Sequence, residues 1–136
     1  MCVWTPDGTE EFAPYGNEPG AVGWFEIGHA DVDAAVAFYG DVFGWTFEQS
    51  PDPTSDYRLV TTGEGHPLRG AVGSRHEGPY AIFCVAVTDV DAVAAHAELL
   101  GGKVAVEPVH PTVGPAQAHL VDRDGNRFGI FTPPKA

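Results

Sequence analysis

Glu26 is the residue of this chain best placed by type and position to move a proton. It stands two positions after Trp24 in the run Val22 to Ile27, whose aromatic and branched residues predict a strand. Alternate residues of a strand share a face, so Glu26 looks where Trp24 looks. A carboxyl enclosed by apolar groups resists ionisation and can serve as general base or acid. The competing reading is a structural Glu, exposed on the strand or paired with Arg69. His119 sits between Ala118 and Leu120 and shares a strand face with Gln117 and Val121. An imidazole there could shuttle a proton or ligate a metal, or simply be a hydrogen-bonded strand residue. Arg69 offers a fixed positive charge, able to hold a carboxylate or phosphate on a ligand or to neutralise Glu26.

Other residues carry weaker chemistry. His29, His66, His76, His96 and His110 show neither HxH nor HExxH spacing. A site built from His29, His119 and Glu26 is the one relocated metal centre that can be drawn, and no spacing supports it. Trp24, Trp45, Phe47, Tyr57, Phe83 and Phe131 could line an aromatic pocket for a flat ligand. For Trp45, Phe47 and Phe83, packing in the core is the stronger reading. Cys2 and Cys84 form no framework, and Cys84 reads as an inert small hydrophobe in an apolar strand. Asp122, Asp124 and Asn126 around Gly125 are too closely spaced for a calcium loop and lack its terminal Glu. A hairpin turn explains them better.

The elements that must position these groups come in two copies. ADVDAAVA at Ala30–Ala37 and TDVDAVAA at Thr88–Ala95 lie 58 residues apart, and the same offset carries Phe25 to Phe83, Ile27 to Val85 and Gly44 to Gly102. Gly65 answers Gly125 at an offset of 60. In the first copy the strand Val22–Ile27 leads to a helix capped by Asp31. Ala35, Phe38, Tyr39 and Val42 form that helix's apolar face, and Gly44 ends it in a left-handed cap. Three strands follow, at Trp45–Glu48, Tyr57–Thr62 and Leu68–Val72. The second copy predicts a strand at Tyr80–Val87 and a helix from the Asp89 cap to Leu100. Strands at Lys103–Glu107, Ala116–Val121 and Arg127–Thr132 complete it, with a Pro-containing loop at 108–115. Each copy is one strand–helix–three-strand unit with a sheet face to cover.

Residues 1–21, rich in Pro, Gly and acid, read as an arm whose Trp4, Phe12 and Tyr15 suit contact with the body or a partner. Residues 22–136 read as one domain, with module one at 22–75 and module two at 79–133. Seven basic residues against nineteen acidic ones give a net charge of −12, which repels phosphate backbones and anionic lipids. Nucleic acid and membrane are therefore not expected as partners. With no membrane span or signal peptide in the sequence, a cytoplasmic protein is expected.

GWFEIGHADVDAAVAFYGDVFGWTFE resembles the opening of the vicinal oxygen chelate superfamily, as HLVDRDGNRFGIF resembles a segment near its end. That superfamily includes glyoxalase I, bleomycin-resistance proteins, extradiol dioxygenases, methylmalonyl-CoA epimerase and fosfomycin-resistance proteins. The chain is most similar to its single-domain glyoxalase-like members. The resemblance implies an α+β fold of two βαβββ modules whose curved sheets form a cleft, and a homodimer. It places the family's metal ligands at Trp24, Arg69, Ile82 and Gly129, none of which offers a donor to a divalent cation. A one-residue slip in that mapping does not restore the site. The expectation is thus a protein that binds a small, possibly aromatic, organic molecule, with no metal and no cofactor. Trp24, Arg69, Tyr57, Ile82 and Phe131 would contact the ligand. The alternative is an isomerase, lyase or dioxygenase of the same group that uses Glu26 as base, with His119 or Arg69 steadying an oxyanion, or a relocated metal.

Overall fold

A computed structural model describes residues 17–50, 55–63, 68–74, 79–112 and 114–133. Most of the expected N-terminal arm, the Gly65 half of the second echo, His66 and His76 lie outside the described residues. The elements run β1 (Val22–His29), α1 (Val32–Phe43), β2 (Thr46–Gln49), β3 (Arg58–Thr61) and β4 (Arg69–Ser74), then β5 (Tyr80–Ala86), α2 (Val90–Leu99), β6 (Lys103–Val109), β7 (Ala116–Val121) and β8 (Arg127–Thr132). This is the α+β class with two βαβββ modules. Two compact units result, one of Trp24–Ile82 and one of Met1–Gly23 with Phe83–Ala136.

In the first unit the strand order is β2-β3-β4-β1. β1 runs parallel to β4, while β2, β3 and β4 are antiparallel in turn. Asp31 starts α1 as its N-cap, its side chain accepting from the Ala34 amide at 3.1 Å. Asp33 in the first turn receives Arg58 at 3.2 Å, an exposed pair that ties helix to strand without adding much stability. Gly44 closes the helix at φ +76°, a left-handed conformation that glycine adopts without steric penalty. The helix covers one sheet face through Val32 and Ala35, which pack with Ile27, Val60 and Val72. Val32, Ile27, Val60 and Val72 each contribute about 1.5–3 kcal/mol by leaving water.

The buried stripe of α1 differs from the expected one. Val32, Ala35, Val36 and Tyr39 face the sheet, whereas Phe38 and Val42 are 59 % and 54 % exposed. The stripe starts one turn earlier, at Val32, and its drift around the helix leaves Phe38 and Val42 outside. Tyr39 stacks on Trp45 with ring centroids 5.3 Å apart, and Trp45 and Phe47 pack against the core as expected.

The second unit repeats the pattern in the order β5-β8-β7-β6, with β5 parallel to β8. Asp89 caps α2 as Asp31 caps α1, and Val90 and Ala94 pack with Ala118, Leu120 and Ile130. The ladder registers reproduce the sequence offset of 58: Glu26 aligns with Ala71 in one unit, and Cys84 with Gly129 in the other. Two expectations need correction here. β6 does not stop at Glu107 but runs through Pro108 to Val109. The strand lies at the end of the order and is interrupted by irregular register, the two settings in which a residue without an amide hydrogen fits a sheet. Phe83 is not a core residue: it is 50 % exposed and stacks on Phe128 with centroids 6.1 Å apart.

Candidate functional site

The site is built on the face of the first unit turned away from α1. Phe25 and Ile27 of β1 join the helix-side core, so the alternate residues Trp24, Glu26 and Gly28 take the opposite face. Register carries that face across the sheet. Trp24 lies beside Arg69, Glu26 beside Ala71 and Gly28 beside Gly73. Beyond β4, Ala71 lies beside Leu59 and Arg69 beside Thr61.

Glu26 is 1 % exposed, the most enclosed charged side chain among the described residues. Two phenols converge on one of its oxygens. Tyr57 Oη donates to Oε2 at 3.1 Å and Tyr80 Oη donates to the same atom at 2.5 Å. Two donors on one oxygen lower the cost of enclosing a carboxyl group at this depth. Tyr57 precedes β3 and Tyr80 opens β5, and both lie within Trp24–Ile82, the unit that holds Glu26.

Two glycines make the arrangement possible. A Cβ on Gly28 would land on the Tyr80 ring, and one on Gly73 would land on the Tyr57 ring. Glycines at these paired positions of β1 and β4 let both rings lie against the backbone with their hydroxyls turned to the carboxylate.

The site residues expected from sequence fall into two groups. Trp24, Glu26, Tyr57, Arg69 and Ile82 belong to the first unit. Glu26 and Tyr57 are in direct contact, Ile82 is buried on β5 two residues after Tyr80, and Trp24 is half-buried. Arg69 is exposed and takes part in no ion pair among the described residues. Its ladder partner is Trp24, so the structural Glu26–Arg69 pair weighed from sequence is replaced by the two phenols. His119 and Phe131 belong to the second unit. His119 is 3 % exposed, with Nδ1 3.2 Å from Arg127 Nη1, and Phe131 shares its sheet face through the β7–β8 register. His29 is engaged locally, Nδ1 accepting from the Asp31 amide at 3.0 Å.

Tyr80 is the member that sequence reasoning missed. The signal was available in Gly28, a glycine inside a strand pattern, which often marks close approach by another group. Its partner ring lies more than fifty residues away, and no local pattern couples the two.

The residues at the metal positions implied by the resemblance do not fit a divalent cation. Trp24 brings an indole N–H, Arg69 a guanidinium, Ile82 an alkyl chain and Gly129 no side chain. Among the described residues no three His, Cys, Asp or Glu side chains are grouped to hold a metal ion.

The family model of the Glyoxalase/Bleomycin resistance protein/Dioxygenase superfamily matches residues 21–130. Among curated proteins, the anthracycline biosynthesis protein DauV of Streptomyces sp. (strain C5) is 31 % identical over 129 residues, covering 83 % of this chain and 47 % of that protein. The chain thus spans about half the length of this Streptomyces relative. A glyoxylase-like domain-containing protein of Didymella fabae is 32 % identical over 123 residues, covering 85 % of this chain and 95 % of that one. Among solved structures, methylmalonyl-CoA epimerase from Mycobacterium tuberculosis superposes with a TM-score of 0.58 at 17 % identity, covering 92 % of this chain and 95 % of that one. That likeness is one of fold.

Proposed function

The chain belongs to the Glyoxalase/Bleomycin resistance protein/Dioxygenase superfamily, and on that premise we propose that it binds a small organic molecule on the sheet face that carries Glu26. The carrying observation is the enclosed carboxylate held by two phenols. Ligand sites are mostly apolar surfaces with a few convergent polar groups that fix orientation. Glu26, Tyr57 and Tyr80 are such a group, and Trp24, Leu59, Ala71 and Ile82 supply apolar surface on the same unit. A carboxyl group there, when ionised, favours a ligand that presents a hydroxyl, an amine or an acidic proton. The anthracycline biosynthesis relative adds a chemical class: a flat, hydroxylated aromatic compound, which Trp24 and the two tyrosines would stack against. Binding in this reading needs no metal, since the family positions carry no ligands for one.

A titration with 1,8-dihydroxyanthraquinone, followed by quenching of tryptophan fluorescence, tests this reading. Saturable binding that weakens at least tenfold in Tyr80→Phe supports it. Equal binding by wild type and variant, or none by either, removes it.

A second reading is enzymatic, and the two phenols on one oxygen favour it. When ionised, Glu26 can take the proton of a bound carbon acid; the C–H electron pair moves onto the adjoining carbonyl oxygen as an enolate, to which a phenol O–H can donate a hydrogen bond. Glu26 would be the base. Solvent deuterium exchange into a 2-acyl acid, absent in Glu26→Gln, is the expected signature. Exchange equal to buffer in wild type would eliminate the reading.

A further inference from the structure

The sheet face that carries Glu26 also carries Arg69, one row along the ladder. Glu26 lies beside Ala71, and Arg69 stands two residues before Ala71 on β4. Strand spacing and rise put the Glu26 and Arg69 backbones roughly 8 Å apart. The row that holds Arg69 runs Trp24, Arg69, Thr61, Thr46 across four strands, and none of its other members is acidic. Arg69 is exposed and makes no ion pair among the described residues, in a chain where acidic residues outnumber basic ones nineteen to seven. Arg58 shows the ordinary outcome in that setting, with its guanidinium 3.2 Å from the Asp33 carboxylate.

A guanidinium has donors only, and its planar fork matches the two oxygens of a carboxylate. Thr61, half-buried and beside Arg69 in register, adds a hydroxyl that can donate to the same anion. Trp24 stands on the other side, beside Arg69 and two residues before Glu26, and offers ring surface between the two polar groups. The long-range field acts in the opposite sense. A net charge of −12 repels anions, so a preference for an anion at this face has to come from a local cation.

We propose that Arg69, with the Thr61 hydroxyl, is the anion-binding end of the ligand face, and that the ligand is a hydroxylated aromatic carboxylate. Its hydroxyl meets Glu26, its ring covers Trp24 and its carboxylate meets the Arg69 fork. The proposal rests on the reading of this face as a ligand surface and adds the ligand's charge and its orientation. All four residues lie within Trp24–Ile82.

The test compares 1,8-dihydroxyanthraquinone with 4,5-dihydroxyanthraquinone-2-carboxylic acid, which has the same rings and hydroxyls with one carboxylate added. Dissociation constants of both for the full chain are read by equilibrium dialysis at pH 7, where the carboxyl is ionised. The acid should bind at least tenfold tighter than the parent quinone, and Arg69→Gln should bring the two within about twofold of each other. Arg69 is exposed, so the variant keeps its fold. Arg58→Gln removes the same charge from the helix side of the sheet, where Arg58 lies beside Val72, and should keep the preference. Binding of the parent quinone with no gain from the carboxylate overturns this inference and leaves the binding reading in place. So does a preference that survives Arg69→Gln, or one that Arg58→Gln lowers as far. Binding of neither compound removes both.

Discussion

Removing the Tyr80 hydroxyl would leave the Glu26 carboxylate one donor short at a position only 1 % exposed. Hydrogen bonds to charged groups contribute about 1.5–3 kcal/mol. Tyr80→Phe should therefore lower stability by about that amount at neutral pH, measured by urea unfolding, and Tyr57→Phe by less because its bond is longer. A loss below about 0.5 kcal/mol for Tyr80→Phe, the size of an ordinary surface substitution, would show that the bond does not hold in solution. Gly73→Ala tests the cradle itself. The new Cβ falls on the Tyr57 ring, and relief requires that ring to leave the backbone. The expected cost is about 1–3 kcal/mol, typical of overpacking, together with weaker binding of the quinone probe. Gly20→Ala makes a poor control despite its open surroundings, because φ +89° strains any L side chain there.

At the scale of elements, the two N-caps and the β7–β8 turn are the places where sequence and structure agree most closely. Asp31 and Asp89 accept from Ala34 and Ala92 at 3.1 Å each, and Asp→Ala at either should cost about 1 kcal/mol in thermal or urea melts. Asp122 organises its turn by accepting from the backbone of Asn126 and Asp124 at 2.9 Å. The Asn126 bonds, first from its amide and then from its side chain, hold the Asp122 carboxyl below its ordinary range. The folded state thus binds this proton less readily than the unfolded chain. Its stabilisation is complete above the unfolded pKa, near 4, and is lost as pH falls through the lower folded value. Asp122→Asn should accordingly flatten the fall in melting temperature between pH 4 and pH 2, and an unchanged slope would remove Asp122 from the acid response. These features were legible because caps and turns are local. The course of β6 through Pro108 was not, since proline reads as a breaker until the strand is known to lie at an edge. Nor was the exposure of Phe38 and Val42, because periodicity gives the width of an apolar stripe more reliably than its centre. The Glu26–Tyr80 contact depended on a pairing between residues far apart in sequence, for which Gly28 was the sole local trace.

For the molecule as a whole, the helix-motif repeat was legible: its offset of 58 recurs in the ladder registers, while the Gly65 echo lies outside the described residues. The two copies have diverged in their chemistry, with Glu26 answered by Cys84 and Leu59 by His119 at equivalent ladder positions. If Trp24, Arg69, Ile82 and Gly129 stand at the family's metal positions, as the resemblance implies, Zn²⁺, Ni²⁺, Mn²⁺ and Fe²⁺ should leave thermal melts unchanged. A bound ion at about 100 times its Kd would stabilise by roughly 2.7 kcal/mol and move the melt by several degrees. Such a shift would reinstate a metal site. No described helix is long and apolar enough to cross a membrane. The homodimer expected from the resemblance would give twice the chain mass in sedimentation equilibrium, and the mass of a single chain would remove that expectation. The most direct test of the account is carbon NMR of the chain labelled at tyrosine Cζ, titrated with 1,8-dihydroxyanthraquinone. Only four tyrosines contribute signals, so single Tyr→Phe variants assign them all. The account predicts that the Tyr57 and Tyr80 signals shift together and saturate, and that Glu26→Gln abolishes the response. Saturable binding that moves Tyr15 or Tyr39 while leaving Tyr57 and Tyr80 in place would contradict it.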